Sequence, residues 1–393
     1  NGTLFYITSN KFIKTSYGEN LREYFTNFQI IEIIDFTKVH VFDALVASCI
    51  FCISKRKDKN NKIKIVFADD SLLNFTDLNV FINKNEFNLD QNNLSKNIWQ
   101  LESSNKLELK AKIETSSKKL CKVDGIKIFR GITTGYNTAF IISELEKEQL
   151  CKADSNNEKI IKPILRGRDI GKYYYRWAGL WMILTKYGSY KDIEEKYTTI
   201  FSHLKKYEMQ LKNRGQCRYS RAGKAEGQHH WLELDNNPKD KYLFEFEKEK
   251  IIWGLTADKW VFAYDGKKHY LPSNGYILTS STLLIKYILA LLNSKLMRYY
   301  FGFIGIMTAG GAFTLKHQTI SEFPIKEIPI IKQEPFISLV DKILAITKDD
   351  DYIVNFEKQA QVRNYESQID EMVYKLYNLT PEEIEIVEGF KNK

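Results

Sequence analysis

The sequence of 393 residues has no apolar run of the ~20 residues that a membrane-spanning helix requires. Its longest candidate, YILALLNSKLM at 287–297, is interrupted by Asn293, Ser294 and Lys295. No secretory signal pattern opens the chain, so a cytoplasmic setting without a membrane partner is expected. Cysteine is scarce. The five residues, at 49, 52, 121, 151 and 217, form an odd and scattered set that argues for reduced thiols over a disulfide framework. Cys49 and Cys52 make a C-x-x-C, but no second one follows and no histidine pair has zinc-like spacing. The segment VASCIFCIS reads instead as a buried strand, whose alternation sends the two thiols to opposite faces. No metal site is expected, and no internal repeat is evident.

What is abundant is positive charge, and it is concentrated. The formal net charge is +9. Residues 161–224 hold 15 Lys and Arg against 5 Asp and Glu, whereas 341–393 hold 7 against 12. The basic stretch is also rich in tyrosine, tryptophan and arginine. Concentrated positive charge with interleaved aromatics suits a polyanion, nucleic acid first among them; a solvated lysine-rich face is the plainer alternative.

The hydrophobic pattern changes along the chain. TLFYI, QIIEIIDF, ASCIFCISK and KIKIVFA read as strands, the last pairing beside the third, with a helix-like YGENLREYFTNF after the first. Strands alternating with helices predict a mostly parallel α/β sheet. Such a sheet needs more strands and covering helices than these residues hold, so the chain is expected to begin inside a domain. Residues 69–118 are polar and irregular and read as a connector with a short helix around LESSNKLELKAKIE. From 119 onward, short β-like runs (GIKIFRG, KIIWG, KWVFAYD, GYILTS) alternate with turns at 265–266 and 274–275. They mix with two helices, KDIEEKYTTIFSHLKKYEMQLKN and TLLIKYILALLNSKLMRYYF. The acidic tail, with apolar residues at three- and four-residue spacing, predicts an antiparallel helical hairpin.

Seven segments, in order, carry a resemblance: GTLFYITSNKF at 2–12, VFDALVASCIF at 41–51, RGITTGYNTAF at 130–140, IIKPILRGRDI at 160–170, KIIWGLTADKWVFAYD at 250–265, LALLNSKLMRYYF at 289–301 and ISEFPI at 320–325. Together they resemble the C-terminal half of TaqI-like adenine-specific DNA methyltransferases, including the single-chain restriction–modification enzymes that carry the same module. The implied fold is α/β over 1–68, as the last strands of a Rossmann-like methyltransferase domain. A connector over 69–118, an α+β target-recognition (specificity) domain over 119–328 and a C-terminal helical segment over 329–393 follow. The implied partner is double-stranded DNA, and a nuclease domain or subunit upstream is left open. Family members bind S-adenosylmethionine through a glycine-rich motif and hold the target adenine with an NPPY-type tetrapeptide. Neither motif occurs here, the nearest strings being DNNP at 235–238 and PSNGY at 272–276. The resemblance thus implies a parent enzyme that uses the cofactor and a chain that transfers no methyl group by itself. A free-standing specificity subunit and a basic RNA-binding protein are the alternatives.

Candidate site residues follow. The resemblance places Phe42 where an aromatic ring stacks on a flipped adenine, replacing its lost stacking; an ordinary core phenylalanine is the alternative. In RGITTGYNTAF, Arg130 suits a phosphate, and glycines 131 and 135 let the backbone approach a ligand closely. Thr133, Thr134, Tyr136 and Asn137 add polar groups for phosphates or base edges, although Asn137 also suits a helix cap or turn. Arg166 and Arg168 flank Gly167, so in an extended loop both point to one side; an Arg168–Asp169 pair is the structural reading. Arg214, Arg218, Arg221 and Lys224 lie among glycines in KNRGQCRYSRAGKAEGQHHW, as a mobile basic loop ordered by a duplex, while His229 and His230 read as bystanders or hydrogen-bond donors. Lys316 follows a glycine pair in TAGGAFTLKHQ. Trp253 reads as core.

Overall fold

The structure, a computed structural model, describes residues 2–390 apart from 38, 40, 43–45, 57, 59, 75–76, 218–226, 237 and 308–311. Two compact units divide the chain between Lys112 and Ile113.

The first unit is built on one five-stranded sheet: β1 (Thr3–Ser9), β2 (Gln29–Asp35), β3 (Ser48–Ser54), β4 (Lys62–Phe67) and β5 (Phe87–Asp90). The spatial order is β1-β3-β2-β4-β5. Of its four pairings, β2–β4 alone is parallel. The expectation of a mostly parallel sheet is therefore corrected, as is the pairing of β4 beside β3. The reason lies in the connections. The described residues of 36–47 and 55–61 hold no helix, and a parallel neighbour needs a crossover of a dozen or more residues, usually helical, so the strands that follow each other directly cannot pair in parallel. Strand alternation does hold in β3. Cys49, Phe51 and Ile53 face a core with Phe12, Ile30 and Trp99, while Ile50 packs on the opposite face with Ile34 and Val66. Both cysteines are buried and unbridged, and burial, then the Asp35 charge, pushes the Cys49 thiol up to about 12. The stretch after residue 68 is more ordered than its polarity suggests. It supplies β5, the helix Leu78–Asn85 and core residues Trp99 and Leu101. β1 stands at the sheet margin and exposes Leu4, Phe5, Tyr6 and Ile7 in succession.

In chain order the strands of the second unit are β6 (Lys118–Lys119), β7 (Lys127–Arg130), β8 (Ile141–Ser143), β9 (Ile161–Pro163), β10 (Leu180–Ile183) and β11 (Lys250–Gly254). β12 (Thr256–Ala257), β13 (Ala263–Asp265), β14 (Gly275–Thr279), β15 (Ile306–Met307), β16 (Phe313–Thr314) and β17 (Pro324–Ile325) complete them. The central sheet runs β13-β11-β14-β7, entirely antiparallel. β11 and β14 are buried along their whole length, as the apolar KIIWG and GYILT runs require. A second sheet, β8-β10-β9, shares its core through Ile142, Ile161 and Met182. At the β11–β13 register pair, Lys250 meets Asp265 at 2.7 Å with both side chains fully buried, and His269 Nδ1 lies 3.0 Å from the same carboxylate.

Two expected helices are broken. The 191–213 run forms Tyr190–Lys196, Thr198–Lys205 and Glu208–Lys212, separated where Tyr197 (φ −120°, ψ 54°) and Tyr207 (φ −112°, ψ 15°) leave helical angles. The run from 282 forms Ile285–Asn293 and Lys295–Ile304, because Ser294 turns extended and its hydroxyl caps Met297 N. The tail forms Ile330–Thr347 and Phe356–Leu376, packed together as the pattern predicts. Arg176 donates to the carbonyls of Thr347 (3.0 Å) and Asp349 (2.7 Å) at the end of the first of these helices, where a cation complements the helix dipole. Asp370, on the second, accepts from Lys295 N at 2.8 Å. No helix among the described residues is long and apolar enough to cross a membrane.

Candidate functional site

Antiparallel pairing brings the end of β7, the start of β14 and the end of β11 to one margin of the central sheet. There Gly131 N donates to Gly275 O (2.8 Å) and Ile132 N to Leu271 O (2.7 Å). A Cβ on Gly131 would stand 2.1 Å from Pro272 O, so glycine is required. Gly167 lies against Gly254, where an added Cβ would meet the Gly254 Cα at 3.3 Å. Leu255 N donates to Asn274 O (2.7 Å) and Leu315 N to Leu255 O (2.8 Å). Five segments, 130–137, 166–169, 254–257, 271–275 and 313–316, therefore converge on this margin.

Within it the candidate residues divide into those that face outward and those that hold the loops. Arg130 is exposed, its Nε donating to Ser273 O at 2.5 Å. Thr133 Oγ1 accepts from Asn236 Nδ2 (3.1 Å), and buried Thr134 donates to Asn137 Oδ1 (2.6 Å). Asn137 thus shapes the turn that opens the short helix Asn137–Phe140, with Tyr136 half-buried at its N-cap and 5.9 Å from Tyr207. Gly135 takes φ +72° and lies on the Arg214 side chain.

Arg214 is the main correction. Its guanidinium does not face a phosphate; it is buried and donates to Leu211 O (3.0 Å) and to Thr134 O, Trp231 O and Glu233 O (2.8 Å each). Burial lowers its affinity for the proton. Beside it, buried His229 sets Nε2 at 2.5 Å from Asp235 Oδ1 and Nδ1 at 3.0 Å from His230 O. Burial raises the Asp235 carboxyl, but contact with His229 and the nearby Arg214 charge outweigh it and hold the group below its ordinary value. Arg218, Arg221 and Lys224 lie outside the described residues.

The 166–168 expectation is corrected too. Gly167–Asp169 is a 3-10 turn, not an extended loop, and three-residue spacing in a turn brings Asp169 onto Arg166. Asp169 Oδ1 accepts from Arg166 Nη2 at 2.7 Å and Oδ2 from Nε at 3.0 Å. The carboxylate therefore orients Arg166 rather than Arg168. Arg168 is exposed and has no acidic partner among the described residues. Lys316 is exposed beside β16, and Phe313 is buried. Trp253 is core: it is fully buried, donates to Leu315 O at 3.0 Å and stacks on Tyr276 at 5.6 Å.

Three supports escaped the sequence reading: Asn236, Tyr242, whose hydroxyl donates to Arg130 O (2.6 Å), and the Lys250–Asp265 pair. The positive φ of Asn236 (59°) fits the turn signal of DNNP, which was the one clue available.

In the first unit, Phe42 lies in the β2–β3 connection and is 49% exposed, not an ordinary core residue. The root of that connection is fixed by Asp35, which accepts from Asn10 Nδ2 (3.0 and 3.1 Å), Thr37 N (2.7 Å) and the Thr37 hydroxyl. Among the described residues, no group of three His, Cys, Asp or Glu side chains is arranged to hold a metal.

Known proteins give matching results. Residues 162–325 match the model of the TaqI-like C-terminal specificity domain, and residues 1–42 match that of the Eco57I restriction-modification methylase. Among solved structures, the Type IIL restriction-modification enzyme MmeI in complex with DNA is similar at TM-score 0.58 and 11% identity, over 96% of this chain and 47% of MmeI. The chain thus spans about half the length of that enzyme. The type IIG restriction endonuclease BpuSI aligns over 95% of this chain and 47% of its own, at TM-score 0.39 and 11% identity. The margin built by β7, β11 and β14 falls largely within the region similar to the TaqI-like C-terminal specificity domain, and the segment similar to the Eco57I restriction-modification methylase ends in the β2–β3 connection that carries Phe42.

Proposed function

We propose that this chain is the sequence-recognising half of an adenine-specific DNA methyltransferase of a restriction–modification system. One observation carries the reading: five segments meet at one margin of the central sheet and display Arg130, Arg168 and Lys316 outward. Charge-assisted contacts from such groups to phosphates position a protein on duplex DNA, and side chains between them read base edges. Thr133, Thr134, Arg166 and Arg214 then hold the loops rather than touch DNA, and Tyr136 and Asn137 flank the contact.

The first unit supplies the methyltransferase part. In this reading the methyltransferase part takes in residues up to 112, supported by β5 pairing with β4 and by Trp99 and Leu101 in the same core. Phe42, raised on an anchored connection, is suited to stack on an extruded adenine. The residues present do not fit S-adenosylmethionine. Residues 1–112 contain two glycines. Gly2 precedes β1, and a Cβ on Gly18 would stand 2.2 Å from Phe12 O, so neither forms a turn open to a cofactor. Methyl transfer belongs to the parent enzyme, and no step of it is assigned to this chain.

The test is selection from a pool of random duplexes, followed by a salt titration. Enrichment of one short adenine-containing site, with affinity falling steeply as salt rises, is the expected result. Absence of binding at low salt refutes the reading.

A further inference from the structure

The opposite margin of the central sheet holds a second site. Lys127 opens β7 where Arg130 closes it, and Lys248 lies just before β11, which ends at Gly254. Here a cleft of about 870 Å³ lies between the two sheets and the helices Tyr190–Lys196 and Asp240–Leu243. Six lysines line it against four carboxylates, leaving two positive charges in excess. Most of the ammonium groups are already engaged: Lys127 and Lys248 on Glu245, Lys186 on Asp240 and Lys159 on the Asn156 amide. Lys162, half-buried on β9, and Lys241 have no acidic partner among the described residues. The floor is apolar, with Ile160, Leu184, Ile193 and Leu243, and Phe244, 62% exposed at the wall, has the Lys248 ammonium over one ring face at 5.2 Å.

We propose that this cleft binds a nucleoside monophosphate. Volume and lining choose the class. The space is within the range of small-molecule sites and far exceeds that needed by inorganic phosphate. An apolar floor rewards a flat ring that can lie against Phe244. The charge excess matches a phosphomonoester, which carries about −1.5 to −2 at neutral pH. Lys162 and Lys241 receive the phosphate, because among the described residues they alone of the lining lysines are not already held by a polar partner. The site lies at the far end of the strands from the proposed DNA margin and does not depend on that reading.

The experiment is isothermal titration calorimetry of the whole chain with adenosine 5′-monophosphate, and with adenosine and inorganic phosphate separately. Adenosine monophosphate binds one-to-one with Kd below about 1 mM. Adenosine and phosphate each bind at least about tenfold more weakly. The double variant Lys162→Ala/Lys241→Ala loses about tenfold in affinity, with an unchanged thermal midpoint, since neither side chain is part of the core. Phe244→Ala weakens adenosine monophosphate but not phosphate. No heat at about 5 mM ligand, equal affinity of the double variant, or adenosine binding as tightly as its monophosphate overturns the proposal. Displacement of the nucleotide by duplex DNA in the native chain, lost in the double variant, also overturns it, by assigning the cleft to the DNA backbone.

Discussion

Replacing Arg214 with alanine distinguishes an arginine that builds the loop from one that contacts DNA. The native side chain is buried and donates to four backbone carbonyls, from Thr134 in one loop and from Leu211, Trp231 and Glu233 around the other. Its guanidinium also lies 5.4 Å from the Phe140 ring. Alanine strands those carbonyls in an interior where each unsatisfied group costs about 1–3 kcal/mol. Part of this is recovered, because the cation no longer has to be held out of water. The net loss in unfolding free energy is about 3–5 kcal/mol, the range for breaking a buried charged network by deleting one partner. Urea unfolding followed by tryptophan fluorescence measures it, since Trp231 neighbours the site. Near-native affinity for DNA under conditions where the variant stays folded, and an unchanged dependence of log K on log salt, complete the expectation. A phosphate-contacting arginine gives the reverse: unaltered stability and a salt slope reduced by about 0.9. That reverse outcome refutes the assignment.

Other outcomes follow from the same geometry. Arg168→Ala and Lys316→Ala each weaken duplex binding across all sequences and flatten the salt slope by about 0.9, with no change in melting temperature; an unchanged slope removes that residue from the interface. Lys250→Met leaves buried Asp265 without its cation and destabilises the second unit by about 3–5 kcal/mol, measured by urea unfolding. Burial raises the Asp265 carboxyl, but His269 and Lys250 outweigh it and hold the group down to about 2. Its contribution to stability is therefore present above the unfolded value of about 3.9 and lost as pH falls from there toward 2. Asp370 behaves oppositely: burial pushes its carboxyl up to about 6, against the Lys295 amide and the charges of Lys172 and Lys295 and with that of Glu388. The folded chain keeps that proton where the unfolded chain has released it, so stability declines as pH rises from about 4 to 6. Asp370→Asn abolishes this decline, and a melting curve with the same pH dependence as the native chain rules the assignment out.

Sequence pattern reached the elements whose cause is local. KIIWG and GYILT became central strands because apolar runs of that length need burial on both faces, and Trp253 followed them into the core. What the pattern missed was decided by tertiary partners. Whether β4 joins β3 or β2 is not written in strand composition, and the short 55–61 connection would have allowed either. Ser294 breaks a continuous apolar helix pattern because its hydroxyl caps the next segment. An arginine among glycines looks the same whether it is destined for phosphate or for carbonyl oxygens, so Arg214 could be placed only by its surroundings. The Arg166–Asp169 pair was closer to reach, since three-residue spacing in a turn brings those side chains together. The basic stretch lies largely within the segment similar to the specificity domain, but composition alone does not say which of its residues face outward.

β1 has a consequence for handling the protein. Four successive apolar side chains lie open to solvent on a marginal strand, and no charged residue interrupts Thr3–Ser9. Such a strand offers unpaired amide and carbonyl groups beside a greasy surface, which is the template for adding a strand from another molecule. β1 is therefore the strand of the first unit best suited to recruit another molecule. A lysine at Tyr6, whose cross-strand neighbour is Phe51, would act as a gatekeeper, suppressing concentration-dependent association without altering the central sheet of the second unit.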